Sequence, residues 1–184
     1  MAEKAHLNWK EGLLEGYEKV VVRKLSDMQG FYSDERAYSA MLQEDPVIYR
    51  VFEVPSPAER GHLSYALTVI YPGRVGREFF MTKGHFHERR ECAEVYIGVK
   101  GHGLLLMQDE GGEVRWTELG EGDIVYVPPR WAHRSVNVGD GEFAFLAVYP
   151  SDAGHDYGVI ARRGFRKIVL ATEDGYEVVD NPRW

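Results

Sequence analysis

The chain has 184 residues, 44% of them hydrophobic, and a formal net charge of −7. That is enough apolar material for one buried core, and no dense run of Lys and Arg is present to follow a phosphate backbone, so nucleic acid is not expected as a partner. The longest apolar run, residues 143–149, is too short to span a bilayer, and no basic segment leads into an apolar one at the start, so a cytoplasmic protein without membrane contact is expected.

Valine-rich residues 17–23 predict a strand. Ser33 then reads as an N-cap, with Asp34 and Glu35 in the first turn and Ala37, Tyr38, Met41 and Leu42 at helical spacing, so a short helix is predicted that stops before Pro46. From Val47 the apolar period becomes two. Strands follow at 47–54 and 63–71, then at 79–87, 93–99, 103–108, 113–119, 124–127, 133–138 and 142–149. Gly111-Gly112 supplies a hairpin turn, and the tail adds strands at 159–162, 167–171 and 176–179. No internal repeat or low-complexity linker divides the chain. One domain is therefore expected over 1–184: an extension to about residue 45, a barrel core over about 46–150, and C-terminal strands over about 151–184. Many short strands with glycine and proline turns predict an all-β sandwich or barrel.

Within these strands stands Gly84-His85-Phe86-His87, followed by Glu94-Val95-Tyr96 and, some forty residues on, by His133. Two histidines one residue apart point the same way on an extended strand. With Glu94 and His133 they offer three imidazole nitrogens and one carboxylate, a donor set for divalent iron, manganese, nickel or zinc. A lone strand histidine is more often a hydrogen-bonded core or surface residue, but the joint recurrence favours a metal centre. His102, in a glycine turn, is expected to be exposed, His6 to sit in a mobile N-terminus and His62 in a loop. The single cysteine, Cys92, excludes an internal disulfide framework and reads as a small buried thiol.

Glu91 competes with Glu94 for the carboxylate position. With Glu94, residues 95–100 run as an unbroken strand and Gly101-His102-Gly103 supplies the turn. With Glu91, Gly98 falls inside the strand, and Glu91 itself belongs to a charged stretch, Glu88-Arg89-Arg90-Glu91, that reads as a solvated loop. Glu94 is the expected ligand.

Glu94 and Gly101 with six residues between them, and Gly122 and Pro128 with five between them, with His133 and Asn137 beyond, resemble the paired motifs of the cupins. Arg130 stands where the second motif usually has glycine, and the interval from His87 to Glu94 is longer than usual. The resemblance narrows to the archaeal cupin-type glucose-6-phosphate isomerases. It is carried by Thr82-Lys83-Gly84-His85-Phe86-His87, Ala93-Glu94-Val95-Tyr96, Trp131-Ala132-His133-Arg134, Ala153-Gly154-His155-Asp156-Tyr157-Gly158 and Asn181-Pro182-Arg183-Trp184, among other segments. It implies a double-stranded β-helix with a short N-terminal helix. It also implies one divalent ion per subunit, Fe(II) first and Ni, Mn or Zn after it, and a homodimer acting in glycolysis and gluconeogenesis.

By the same resemblance His85, His87, Glu94 and His133 hold the metal. Thr68, Thr82, the amide near Gly84, Tyr149 and Tyr157 hold the substrate phosphate, and Tyr49, Tyr96, Phe145 and His155 contact the sugar. Lys83 would either add charge to the phosphate or be solvated, and no GxxxxGK[ST] loop is present. An aldose–ketose isomerisation moves hydrogen between adjacent carbons, so both oxygens need electrostatic stabilisation. Two routes stay open: Glu94 as base through a cis-enediol, with Tyr96 or His155 relaying protons at oxygen, or a direct hydride shift. A metal-dependent dioxygenase and a non-catalytic sugar-binding cupin are the alternative readings of the residue pattern. Strand 17–23 is expected to be able to cover an edge of a second subunit.

Overall fold

Alternating apolar and polar positions become the pleated faces of the computed structural model, which describes residues 4–184. The described chain opens with a two-stranded ribbon, β1 (His6–Asn8) and β2 (Leu13–Glu15), then β3 (Lys19–Lys24), a 3-10 turn at Leu25–Met28 and α1 (Glu35–Met41). Strands β4 (Val47–Val54), β5 (Leu63–Ile70), β6 (Arg74–Val75) and β7 (Glu78–Phe79) lead to the barrel centre. Beyond it come β8 (Glu94–Lys100), β9 (His102–Asp109), β10 (Val114–Gly120), β11 (Ile124–Val127), β12 (Trp131–Asn137) and β13 (Phe143–Pro150). The chain closes with α2 (Gly158–Arg163), β14 (Lys167–Thr172) and β15 (Gly175–Asp180).

A six-stranded sheet in the order β11-β8-β13-β5-β4-β3 faces a three-stranded sheet, β10-β9-β12, and a four-stranded one, β15-β14-β7-β6. Their inner faces share one core, with Tyr96 and Phe145 from the first sheet, Leu104, Leu105 and Val136 from the second, and Phe79 and Val169 from the third. This is the all-β cupin barrel with a short helix near its N-terminus. A smaller cluster, Leu14, Leu67, Val69, Val99 and Ala144, lies under the N-terminal ribbon on the outer face of the large sheet.

Four expectations need correction. The segment around His6 is a paired strand rather than a loose terminus. The cap of α1 is Asp34, which accepts from Ala37 N at 2.9 Å, because Ser33 turns its amide and hydroxyl to the buried carboxylate of Glu78 instead. Residues 159–162 are helical: Arg162 and Arg163 lie at the C-terminal end, Gly164 follows at φ 70°, and Ile160 is buried against Phe165. Residues 79–87 are not one strand. After β7 the chain holds to β12 only through isolated bridges, Met81 to Val136 and His85 to His133.

Gly101 makes the β8–β9 turn at φ 73°, as the Glu94 register requires. Arg130, in the place of the usual motif glycine, keeps the left-handed backbone at φ 69°. Gly98 serves a different need inside β8, where a Cβ would fall 1.8 Å from the Gly120 carbonyl oxygen and the Gly98 amide already bonds Asp123 O. Gly98→Ala should therefore lower stability by about 2–3 kcal/mol in denaturant titration through overpacking. An unchanged midpoint would mean that the 120–123 turn moves aside freely.

Candidate metal centre

β12 assembles the centre. His133 and His85 exchange backbone hydrogen bonds, His133 N to His85 O at 3.1 Å and His85 N to His133 O at 3.3 Å, which sets their rings 4.5 Å apart. The bend that brings the 84–87 segment alongside depends on Gly84, at φ 73°. A Cβ there would lie 2.7 Å from the Phe165 ring and 3.0 Å from His133 O. Glu94 enters from the start of β8, opposite Val127 of β11. The ligand atoms of His85, His87, Glu94 and His133 lie within 4.8 Å of one another. Glu91 is exposed beside Arg89, so the structure brings Glu94, not Glu91, to the histidines.

The tautomers follow from the outer hydrogen bonds. His87 Nδ1 stands 3.1 Å from Cys92 O and His133 Nδ1 stands 3.4 Å from Trp131 O; a carbonyl only accepts, so each Nδ1 carries the proton. Both Nε2 lone pairs then face Glu94 Oε2, at 3.2 Å and 3.0 Å. His85 Nε2 is buried without a partner, and His133 Nε2, though close to the carboxylate, is not aligned for a hydrogen bond. Acceptors pointed at an acceptor repel unless a proton or a cation lies between them. Two ligands held at about 2.1 Å from one ion stand roughly 3 Å apart when at right angles, so the spacing fits a shared divalent cation.

The charges follow the same logic. Burial, then the His133, His155 and His87 rings, hold His85 well below the usual imidazole range, so it is neutral. Burial alone would raise the Glu94 carboxyl, but His133 and His87 outweigh it and hold it down at about 2. Burial pulls His87 down while Glu94 pulls it up, and the balance is upward. In the absence of an ion, a proton on His87 offsets the carboxylate.

A cavity of about 420 Å³ opens beside the centre. Tyr49, Thr68, Thr82, Gly84, Tyr96, Tyr149, His155 and Tyr157 all line it, together with His85, Glu94 and His133. Phe145 does not: it is buried beneath the wall and stacks on Tyr96 with ring centres 4.8 Å apart, because it shares the inner face of β13 with Tyr149 but sits deeper. His87 is likewise set behind the wall. Burial and then Glu94 raise the Tyr96 hydroxyl well above its ordinary value, so it remains a proton donor. Burial lowers His155, which stacks on Tyr157 and lies 4.5 Å from His85.

Two arginines brace the site from outside. Arg134 is buried, donates Nη2 to Lys83 O at 2.7 Å and lies over Phe165, backing the 82–84 loop. Arg90 donates to His87 O and, at 2.5 Å, to Asp156 Oδ2, tying the histidine segment to the loop that carries His155 and Tyr157. Sequence reasoning missed the contribution of β3, and of β4 beyond Tyr49: Val21, Arg23, Val51 and Glu53 also line the cavity. Valine alternation announced the strand but not which face looked inward.

The glucose-6-phosphate isomerase family model matches residues 22–182. The glucose-6-phosphate isomerase of Pyrococcus horikoshii is 53% identical over 179 residues, covering 97% of this chain and 94% of that protein. That of Pyrococcus furiosus is 52% identical with the same coverage. The putative glucose-6-phosphate isomerase 1 of Rhizobium meliloti is 40% identical over 166 residues, covering 88% of this chain and 78% of that protein. A solved structure from work on the mechanism of oxalate oxidase superposes with a TM-score of 0.51 at 16% identity, covering 61% of this chain and 56% of that one, a likeness of fold.

The Arg90 pair has a pH signature. The Arg90 hydrogen bond holds the Asp156 carboxyl below its ordinary range, so its contribution is present above about pH 4 and is lost as pH falls through the lower folded value. Asp156→Asn should flatten the acid side of a melting-temperature profile while lowering the neutral plateau. An unchanged acid slope would show that the pair does not couple to folding.

Proposed function

The chain belongs to the glucose-6-phosphate isomerase family and interconverts glucose 6-phosphate and fructose 6-phosphate; we propose that it does so with one divalent ion held by His85, His87, Glu94 and His133. The observation that carries this is the convergence of the four donor groups, with two imidazole nitrogens 3.0 and 3.2 Å from one carboxylate oxygen and the His85 Nε2 buried without a partner beside them. Three imidazoles and a carboxylate suit Fe(II) first, with Mn(II), Ni(II) and Zn(II) as competitors. When bound, such an ion polarises the two substrate oxygens between which the carbonyl moves.

The protein's own groups supply the proton steps. Both histidine contacts fall on Glu94 Oε2, leaving Oε1 without a hydrogen-bond partner among the described residues. Oε1 takes the proton from C2 of the open-chain aldose and returns it to C1 of the cis-enediol. The hydroxyl proton on O2 passes to O1 with neutral His155 as the relay, while Tyr96 donates a hydrogen bond. Low basicity of a carboxylate held at about 2 sets the cost of this route. Thr68, Thr82, the Gly84 amide, Tyr149 and Tyr157 hold the phosphate. Thr82 Oγ1 accepts from Ser135 N, which leaves its own proton free to donate. Phe145 acts by supporting Tyr96 rather than by touching sugar.

A second copy of the chain covers the exposed apolar side chains of the large sheet, Leu63 on β5, Ile124 and Tyr126 on β11, and Val20 and Val22 on β3, giving a homodimer. The free edge of β3 is available to that partner, since β4 pairs with its other side. Among the described residues no helix is long and apolar enough to cross a membrane. We place the enzyme in the cytoplasm, where its phosphorylated substrates are.

Chelation should abolish isomerase activity, and titration with Fe(II) or Mn(II) should restore it at one ion per chain. Full turnover by ion-free protein would overturn the proposal. Glu94→Gln should stay folded and lose activity by about 10³-fold or more. C2-deuterated glucose 6-phosphate turned over in light water should lose part of its label to solvent; complete retention in fructose 6-phosphate would replace the base with a hydride shift.

A further inference from the structure

The phosphate-holding groups proposed above are neutral hydroxyls and one amide; the ion proposed at Glu94 is already partly offset by that carboxylate, and a phosphate monoester brings nearly two further negative charges into the cavity. A cation facing that cavity is needed. We propose that Arg23 is the residue that balances the substrate phosphate and selects for a phosphorylated sugar.

β3 turns Lys19, Val21 and Arg23 to the cavity, and the strand register sets Arg23 opposite Tyr49, side by side on the inner face. The other nearby cations are engaged. Lys19 pairs with Glu53 at 2.9 Å, Lys24 pairs with Asp45 at 3.5 Å and lies outside the cavity, and Lys83, which also lines the cavity, rests its ammonium over the Phe31 ring at 5.5 Å. Arg134 is spent on the Lys83 carbonyl behind the loop. Arg23 has no carboxylate partner among the described residues. It is close enough to the tyrosines to pull against the burial that raises Tyr49 to about 12, and it likewise opposes the rise at Tyr157.

Its surroundings match a phosphate. Thr68 and Thr82 hydroxyls, the Tyr49 and Tyr157 phenols, and a Gly84 amide that donates to no backbone carbonyl among the described residues share the same cavity. A guanidinium adds the forked, charge-assisted donor that fits phosphate oxygens. The valine-rich look of residues 17–23 hid this residue, since Arg at a strand end reads as a solvated charge.

This inference rests on the sugar phosphate reading but is tested without turnover. Binding of inorganic phosphate to the metal-loaded protein, followed by calorimetry, should weaken about tenfold or more in Arg23→Met and be partly recovered in Arg23→Lys. Lys24→Met, on the same strand but turned away, should leave phosphate affinity within about twofold; an equal loss there would mean a general charge effect and overturn the assignment. Kinetically, Arg23→Met should raise KM for glucose 6-phosphate by a similar factor with kcat changed far less, while inhibition by uncharged sorbitol stays the same. Phosphate affinity equal to wild type in a folded Arg23→Met protein would overturn the inference. An inactive wild type that binds phosphate through Arg23 would instead count against the isomerase reading alone.

Discussion

A carboxylate oxygen about 3 Å from two imidazole nitrogens, inside a closed barrel, is stabilised by positive charge shared among the groups, a proton or a cation. Every nearby feature serves to hold it. The Cys92 carbonyl fixes the proton on the far side of His87, and the Trp131 carbonyl does the same for His133. The paired backbone bonds of His85 and His133 lock two rings to one strand ladder, and Gly84 permits the bend that makes this pairing possible. The barrel is a frame in which separate strands deliver donors to one point, while the core beneath, with Phe145 under Tyr96, keeps the wall from yielding.

Around that point the chain distributes charge unevenly. Glu94 lies at the candidate metal centre, and Arg23 lines the same cavity from β3. Between them stand neutral donors whose protons burial keeps in place, such as Tyr96 and Tyr49. The buried guanidinium of Arg134 and the partly exposed one of Arg90 act on backbone instead, each bonding a carbonyl of the segment that carries the ligands. The loop bearing His155 and Tyr157 is thereby linked to His87 through the Arg90–Asp156 pair.

Much of this was legible in the residues. Period-two alternation located most of the barrel strands, and the choice of Glu94 over Glu91 followed from asking where a hairpin would place its glycine, an argument the φ of Gly101 supports. What could not be read was long-range. Alternation shows that a strand has two faces but not which one looks inward, so Arg23 went unassigned within its strand and Phe145 was expected to contact the sugar. The 79–87 segment has strand composition but only scattered partners, and pairing is not a local property. Residues 159–162 became helix, with Ile160 buried against Phe165 and Gly164 closing the end, and Asp34 displaced Ser33 as cap because Glu78, distant in sequence, claimed the serine. Arg130 shows the reverse case: the turn geometry survives without the glycine that usually announces it.

The central claim is that four side chains converge on a single cation. Anomalous diffraction from crystals of the iron- or manganese-loaded protein, collected on both sides of the metal edge, measures it directly. The account requires one peak per chain at about 2.1 Å from the Nε2 atoms of His85, His87 and His133 and from a Glu94 oxygen. A peak elsewhere, or a loaded protein in which Glu94 has turned away from the three imidazoles, would contradict it.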